Sequence, residues 1–288
     1  MVATHALGAP RALQLPDGRR LRHRVSGPAD ASATVVLDAG LGMSSATWGC
    51  VVPLLGDRVR TVAYDRAGFG GSDPDPRMRT LEHLADDLLA LLDALGDGPF
   101  VLVGHSWAGP IVRTAAARTD PRRLRGLLLL DPTDERCDLF LSEKMAKRSA
   151  AAARWLPGLA RTGLYRLAGR LGPGRALPPE ARAAHRRDDF SPAAARALAA
   201  ELQGFVTEIH RLRADPPAIG DLPLTIVSGQ APGRGEGRDR PAVVAAHRAS
   251  AAAAPRGRFV PAERSSHHAL LDDPQLVADE ILRLALPA

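Results

Sequence analysis

At 288 residues, 45% of them apolar, the chain is long enough to bury a substantial core and allows one large α/β domain with an inserted piece. No apolar run approaches the roughly 18 residues that a membrane span needs, and residues 1–10 lack the charged start and long apolar core of a signal peptide, so a cytoplasmic protein is expected. The net charge of +6 lies wholly in residues 137–218, where fourteen Lys/Arg stand against eight Asp/Glu; such a block reads as a solvated arginine-rich face or as an attraction for anionic substrates.

Asp17-Gly18 is a turn signal between two strand-like runs, so residues 12–25 read as a hairpin. Thr34-Val35-Val36-Leu37 is a short apolar strand closed by Asp38-Ala39-Gly40-Leu41-Gly42, and the next helix is expected to carry Trp48, Val51, Val52 and Leu55. A strand over residues 59–64 ends in the glycine-rich Asp65-Arg66-Ala67-Gly68-Phe69-Gly70-Gly71-Ser72-Asp73. Leu81, Leu84, Leu88, Leu91, Leu92 and Leu95 then fall at helical spacing behind Thr80, a capping residue.

Phe100-Val101-Leu102-Val103 reads as a buried strand, and a helix-forming run starts at Trp107. Between them lies Gly104-His105-Ser106-Trp107-Ala108-Gly109, one serine with small residues on both sides. A strand-to-helix turn this tight lifts its central hydroxyl above the sheet edge at the positive end of a helix. Residues 124–130 form another buried strand. The alternation implies a parallel sheet with its site at the C-terminal strand ends. The rhythm breaks at Asp131-Pro132: residues 134–218 hold helical runs punctuated by Pro157, Gly158, Pro178 and Pro192, and no convincing strand. It resumes with a strand over 222–228, a helix over 242–253, a strand over 258–260 and a last helix over 274–284.

Serine at its own pKa is a poor nucleophile and needs a base. Of nine histidines, those at Ser265-Ser266-His267-His268-Ala269-Leu270-Leu271-Asp272-Asp273-Pro274 lie on a polar loop between the last strand and the last helix. No Cys, His or carboxylate cluster has metal-ligand spacing, so neither a metal nor a cofactor is expected. Nucleic-acid binding has little support, because aromatics are few and not interleaved with the basic block. Cys50 and Cys137 form no motif and read as incidental thiols.

Taken in order, these motifs resemble the α/β-hydrolase family: oxyanion loop, glycine-rich loop, nucleophile elbow, insert, terminal histidine. The elbow departs from Gly-x-Ser-x-Gly only in Ala108. The resemblance implies a mostly parallel eight-stranded sheet flanked by helices, with residues 1–133 and 219–288 as core and 134–218 as a helical cap inserted after strand six. It implies that Ser106 attacks and that His267 is the base, since His267 and not His268 has the family's Asp five residues on, at Asp272. It implies backbone donors for an oxyanion at Leu41 and Trp107. The family's usual acid follows the Gly that ends strand seven, but Pro232 and Gly233 occupy those positions here. Asp131, at the end of strand six, is therefore preferred, with Glu236 and Asp239 as alternatives. Asp131 also has a plain reading, a strand-end carboxylate capping the Asp-Pro turn. Met43, Trp107 and Trp155 are expected to shape an apolar pocket for a small, acyl-bearing substrate. Besides ester hydrolysis, the scaffold could serve C–C bond hydrolysis, lactone opening, perhydrolysis or acyl transfer, or hold a ligand without chemistry. Oligomeric state is not legible.

Overall fold

The structure is a computed structural model and describes residues 7–169, 172–233 and 238–287. Eight strands form one sheet in the order β1-β2-β4-β3-β5-β6-β7-β8. The hairpin β1 (Ala9–Gln14) and β2 (Arg20–Ser26) is antiparallel and joins the rest through an antiparallel β2–β4 pairing. From β3 (Thr34–Asp38) and β4 (Arg60–Tyr64) through β5 (Phe100–His105), β6 (Leu124–Leu130), β7 (Leu224–Gly229) and β8 (Gly257–Ala262), all pairings are parallel.

Apolar side chains alternate across the central strands, as a period of two demands. Val35, Leu37, Val101, Val103, Leu128 and Leu130 enter the core on one face; Val36, Leu102, Leu127 and Leu129 enter the core on the other. The first face is covered by the 3₁₀ turn Ser45–Cys50, the one-turn α1 (Val52–Leu55) and, at the chain's end, α11 (Pro274–Ala285). The single helix expected around Trp48 is thus two short pieces: Gly49 lies in the first, Pro53 opens the second and Gly56 stops it. The second face is covered by α2 (Leu81–Leu95), capped by Thr80, and α3 (Ala108–Ala117).

Among the described residues five α-helices lie between β6 and β7: α4 (Asp138–Leu141), α5 (Glu143–Arg161), α6 (Leu164–Ala168), α7 (Pro179–Asp188) and α8 (Pro192–Ala214). Expected punctuation at Pro157 and Gly158 does not end α5, which runs through both. Phe205, Ile209 and Leu212 of α8 pack with Leu81, Leu84, Trp107 and Ile111, which seats α8 over the C-terminal ends of the strands. After β7 comes α9 (Arg240–Ala253), and after β8 the short α10 (Ala269–Asp272). Among the described residues no helix is long and apolar enough to cross a membrane.

Candidate active site

The sheet brings three side chains from distant parts of the sequence to one point. Ser106 follows β5 with φ +54, a left-handed conformation that a non-glycine residue adopts only under constraint. That constraint is backbone bonding on both sides. The Ser106 amide donates to Leu130 O at 2.9 Å, and its carbonyl accepts from Gly109 N and Thr133 N, each at 3.0 Å. The two arms pass closely, since a Cβ on Gly104 would sit 2.6 Å from Ala108 O, and the turn after β6 is close as well, since one on Gly109 would sit 2.6 Å from Pro132 Cβ. Ala108, at the second small position, is fully buried. Asp131, one residue past β6, is the only other non-glycine among the described residues with a positive φ, +41. Its amide donates to Val227 O at 2.8 Å, so the turn is fixed from β7.

His267 comes from the loop after β8. Its Nε2 lies 3.0 Å from Ser106 Oγ and its Nδ1 2.7 Å from Asp131 Oδ2. The tautomer protonated on Nδ1 satisfies both contacts: Nδ1–H donates to the carboxylate, and Nε2 accepts from the serine hydroxyl. Asp131 is 2% exposed and collects further donors, Gly229 N at 3.0 Å and Arg240 Nη1 at 2.8 Å from each carboxylate oxygen. Burial alone pushes its carboxyl up; the hydrogen bond from His267, with His247 and Arg240 nearby, outweighs burial and holds Asp131 well below the usual carboxylate range. The carboxylate is therefore ionised wherever the histidine could act as base.

Leu41 and Trp107 both border the cavity above Ser106. Among the described residues, the turn and loop hydrogen bonds leave their two amides without a backbone acceptor. The cavity measures about 450 Å³, and its apolar wall is made by Leu139, Phe140, Met145, Phe205 and Val243. Arg148, from the arginine-rich block, also borders it.

Two expected pocket residues lie elsewhere. Trp155 is 63% exposed, because α5 buries the opposite stripe, Ser149, Ala153 and Ala160. Met43 is half-buried against the core beneath Gly40, with Sδ 3.3 Å from where a Gly40 Cβ would stand, and it does not border the cavity. The Trp107 ring is fully buried and packs against Phe205 at 4.8 Å between centroids. Of the alternative acids, Asp239 is exposed at the start of α9 and bonds to neither histidine nor serine, while Glu236 lies outside the described residues.

Sequence reasoning missed three supporting residues. His105, inside the elbow, is fully buried and donates from Nε2 to the His267 carbonyl at 2.9 Å, which anchors the histidine loop. Burial, and then the neighbouring imidazoles, hold its ring well below the usual histidine range and keep it neutral. His247 donates from Nε2 to Pro132 O, and its Nδ1 shares a hydrogen bond with Ser228 Oγ, both at 2.8 Å, bracing the turn that carries Asp131. Arg240 is the third. Each pairs across more than a hundred residues, and no local spacing announces such a partner. Among the described residues no group of three or more His, Cys, Asp or Glu is placed to hold a metal ion.

A family model described as "Alpha/beta hydrolase family" matches residues 35–280. A Caulobacter sp. (strain K31) protein that carries a carbamate hydrolase name is 39% identical over 127 residues, 41% of this chain and 46% of that one. The chain spans less than half the length of the curated relatives it matches. Among solved structures, a thermophilic esterase from Thermogutta terrifontis superposes with a TM-score of 0.71 at 23% identity, covering 97% of this chain and all of that one. The enol-lactonase from Burkholderia xenovorans LB400 gives 0.68 at 20% identity, covering 95% and 99%. At those identities the solved structures speak to the fold alone. The family match, running from β3 into α11, carries the conclusion: this chain belongs to the alpha/beta hydrolase family.

Proposed function

We propose that the protein is a serine hydrolase that cleaves an ester or a related acyl bond through a covalent acyl-enzyme. The observation that carries this reading is the relay of 3.0 Å from Ser106 Oγ to His267 Nε2 and 2.7 Å from His267 Nδ1 to Asp131 Oδ2. Ser106 Oγ attacks the carbonyl carbon as its proton passes to His267. Asp131 stabilises the imidazolium, and the Leu41 and Trp107 amides receive the oxyanion. Collapse expels the alkoxide, which leaves with the proton from His267. Water, deprotonated by His267 in turn, then cleaves the acyl-enzyme and frees the acid and Ser106.

The helices over 134–218 act as a cap on a core made by 1–133 and 219–288. With Phe140, Met145 and Phe205 on its walls, the cavity suits an apolar acyl or alkyl group of moderate size. The carbamate hydrolase name of the Caulobacter relative is in keeping with acyl chemistry. A fluorophosphonate probe tests the reading. Wild type should label at Ser106, label should vanish in Ser106→Ala, and a panel of esters of graded acyl length should show turnover. Folded wild type that takes no label would overturn it.

A further inference from the structure

The Leu41 amide can serve an oxyanion only if the loop after β3 holds it at a fixed angle. That loop is rich in glycine, with Gly42 at φ +74, and its own turn gives the Gly40 carbonyl one backbone bond, from Met43 N at 3.2 Å. Beneath it lies Arg66, on the turn after β4, 2% exposed. Its guanidinium is fully committed. Nη1 donates to Asp38 Oδ1 at 2.7 Å and to Ala39 O; Nη2 donates to Gly40 O at 2.9 Å and Glu201 Oε2 at 3.0 Å; Nε donates to Glu201 Oε1 at 3.0 Å. All five N–H groups of the side chain are used on this loop and on one carboxylate of α8.

The Gly40 carbonyl and the Leu41 N–H are the two ends of a single planar trans peptide, so they point in opposite directions. Arg66 draws the carbonyl down toward the protein interior. The N–H is thereby turned the other way, to the side where Leu41 borders the cavity above Ser106.

Helix α8 touches this arrangement three times on one face. Leu198 packs on the loop, with Cδ2 3.1 Å from where a Gly42 Cβ would stand. Glu201 holds Arg66 through two bonds. Phe205, one turn further, packs on Trp107, which carries the other amide donor.

We propose that Arg66 is a positioning residue that aims the Leu41 amide, and that its Glu201 pairing ties the geometry of the oxyanion hole to the seating of helix α8. The inference rests on the acyl-transfer reading above and adds to it a link between the cap and the electrophilic half of the site. A substrate that reseats α8 moves both donors together.

Two variants test it. Arg66→Lys keeps the charge, but one ammonium cannot span Asp38, the two carbonyls and Glu201. Glu201→Gln keeps the shape and removes the carboxylate's charge, and it carries the test if Arg66→Lys fails to fold. Each is measured for ester kcat and KM, and for inhibition by an alkyl boronic acid, whose tetrahedral Ser106 adduct places an oxygen in the hole. In Arg66→Lys kcat should fall about 10²-fold with KM within about threefold, and boronate affinity should fall in step with kcat/KM. In Glu201→Gln the same pattern should appear with about a tenfold loss. A merely structural role would lower the active fraction and leave KM and boronate affinity of the remainder unchanged; that result, or unaltered kcat in a folded variant, overturns the clamp while leaving the hydrolase reading intact. Wild type that neither labels at Ser106 nor turns over any ester overturns the hydrolase reading and the clamp with it.

Discussion

Three N–H donors converge on the two oxygens of Asp131, and exchanging one oxygen for an amide nitrogen forces a choice. On the Oδ1 side stand Gly229 N–H at 3.0 Å and Arg240; on the Oδ2 side stand His267 Nδ1 at 2.7 Å and Arg240. In Asp131→Asn, an NH2 group facing Gly229 opposes a backbone donor that cannot change. Facing His267, it opposes a ring that can move its proton to the other nitrogen. The second arrangement costs less, and it leaves Nε2 protonated toward Ser106 and unable to accept the hydroxyl proton. Loss of a working base is worth about 10² to 10⁴ in rate. We therefore expect kcat to fall at least about 10²-fold, a barrier increase of about 2.7 kcal/mol. The exchange also removes the charge of a buried carboxylate that Arg240 Nη1 contacts at 2.8 Å from each oxygen, so stability should fall along with rate. The assay is steady-state hydrolysis of an activated aryl ester, normalised by active-site titration to the folded fraction, with Asp239→Asn in parallel. Asp239 bonds to neither Ser106 nor His267, and its variant should lose less than about threefold. Folded Asp131→Asn with kcat within about threefold of wild type, or a larger loss in Asp239→Asn, would refute the tautomer argument.

Asp65 gives a pH prediction. Buried and accepting from Ser45 N at 2.6 Å, its carboxyl is raised by burial to about 6. The folded chain thus holds this proton more tightly than the unfolded chain does. Stability from this group is present below the ordinary carboxylate pKa and is lost as pH climbs through about 6, by at most ~3 kcal/mol. Urea unfolding at pH 4 and pH 7 should show that decline in wild type and a shallower one in Asp65→Asn; equal slopes would sink the assignment. At the cavity, Phe140→Ala should shift the preferred acyl chain to longer homologues, whereas Trp155→Ala, at an exposed position, should leave kcat/KM within about twofold across the same ester panel. Equal effects of the two would contradict the cavity wall described above.

What could be read in advance was whatever a local signal encodes. The central strands announce themselves as apolar runs because both their faces are covered. Gly104 and Gly109 mark the elbow because a Cβ on the first would collide with the opening of the helix and one on the second with Pro132 after β6. His267 stands on the one polar loop between the last strand and the last helix. Facing and long-range pairing were not readable. Trp155 looks like a pocket residue by type, yet its side of α5 is set by the small residues Ala153 and Ala160 on the opposite stripe. Pro157 looks like a stop, yet α5 continues through it. The Arg66–Glu201 and Arg240–Asp131 pairs join residues more than a hundred positions apart, and arginine is so common in this chain that neither stood out.

With Asp131 as the acid of the proposed relay, the segment after β7 has a different task. When the carboxylate hangs from that segment, as in the commoner family pattern, every change in its length moves a reacting group. Here the relay stands on the ends of β5 and β6 and on the loop after β8, and the β7 side contributes a strand-end amide at Gly229 and a helix-borne guanidinium at Arg240. Just after β7, Gln230 N bonds Ala262 O at 3.1 Å and Ala231 N bonds Ser265 O at 2.9 Å, which steadies the loop carrying His267, and on the proposed reading the acid itself does not hang from this segment. On that reading a change of length beyond Ala231 does not move the carboxylate, and substrate access can vary there while the proton path is kept. Selectivity and turnover can thus evolve on separate parts of the chain.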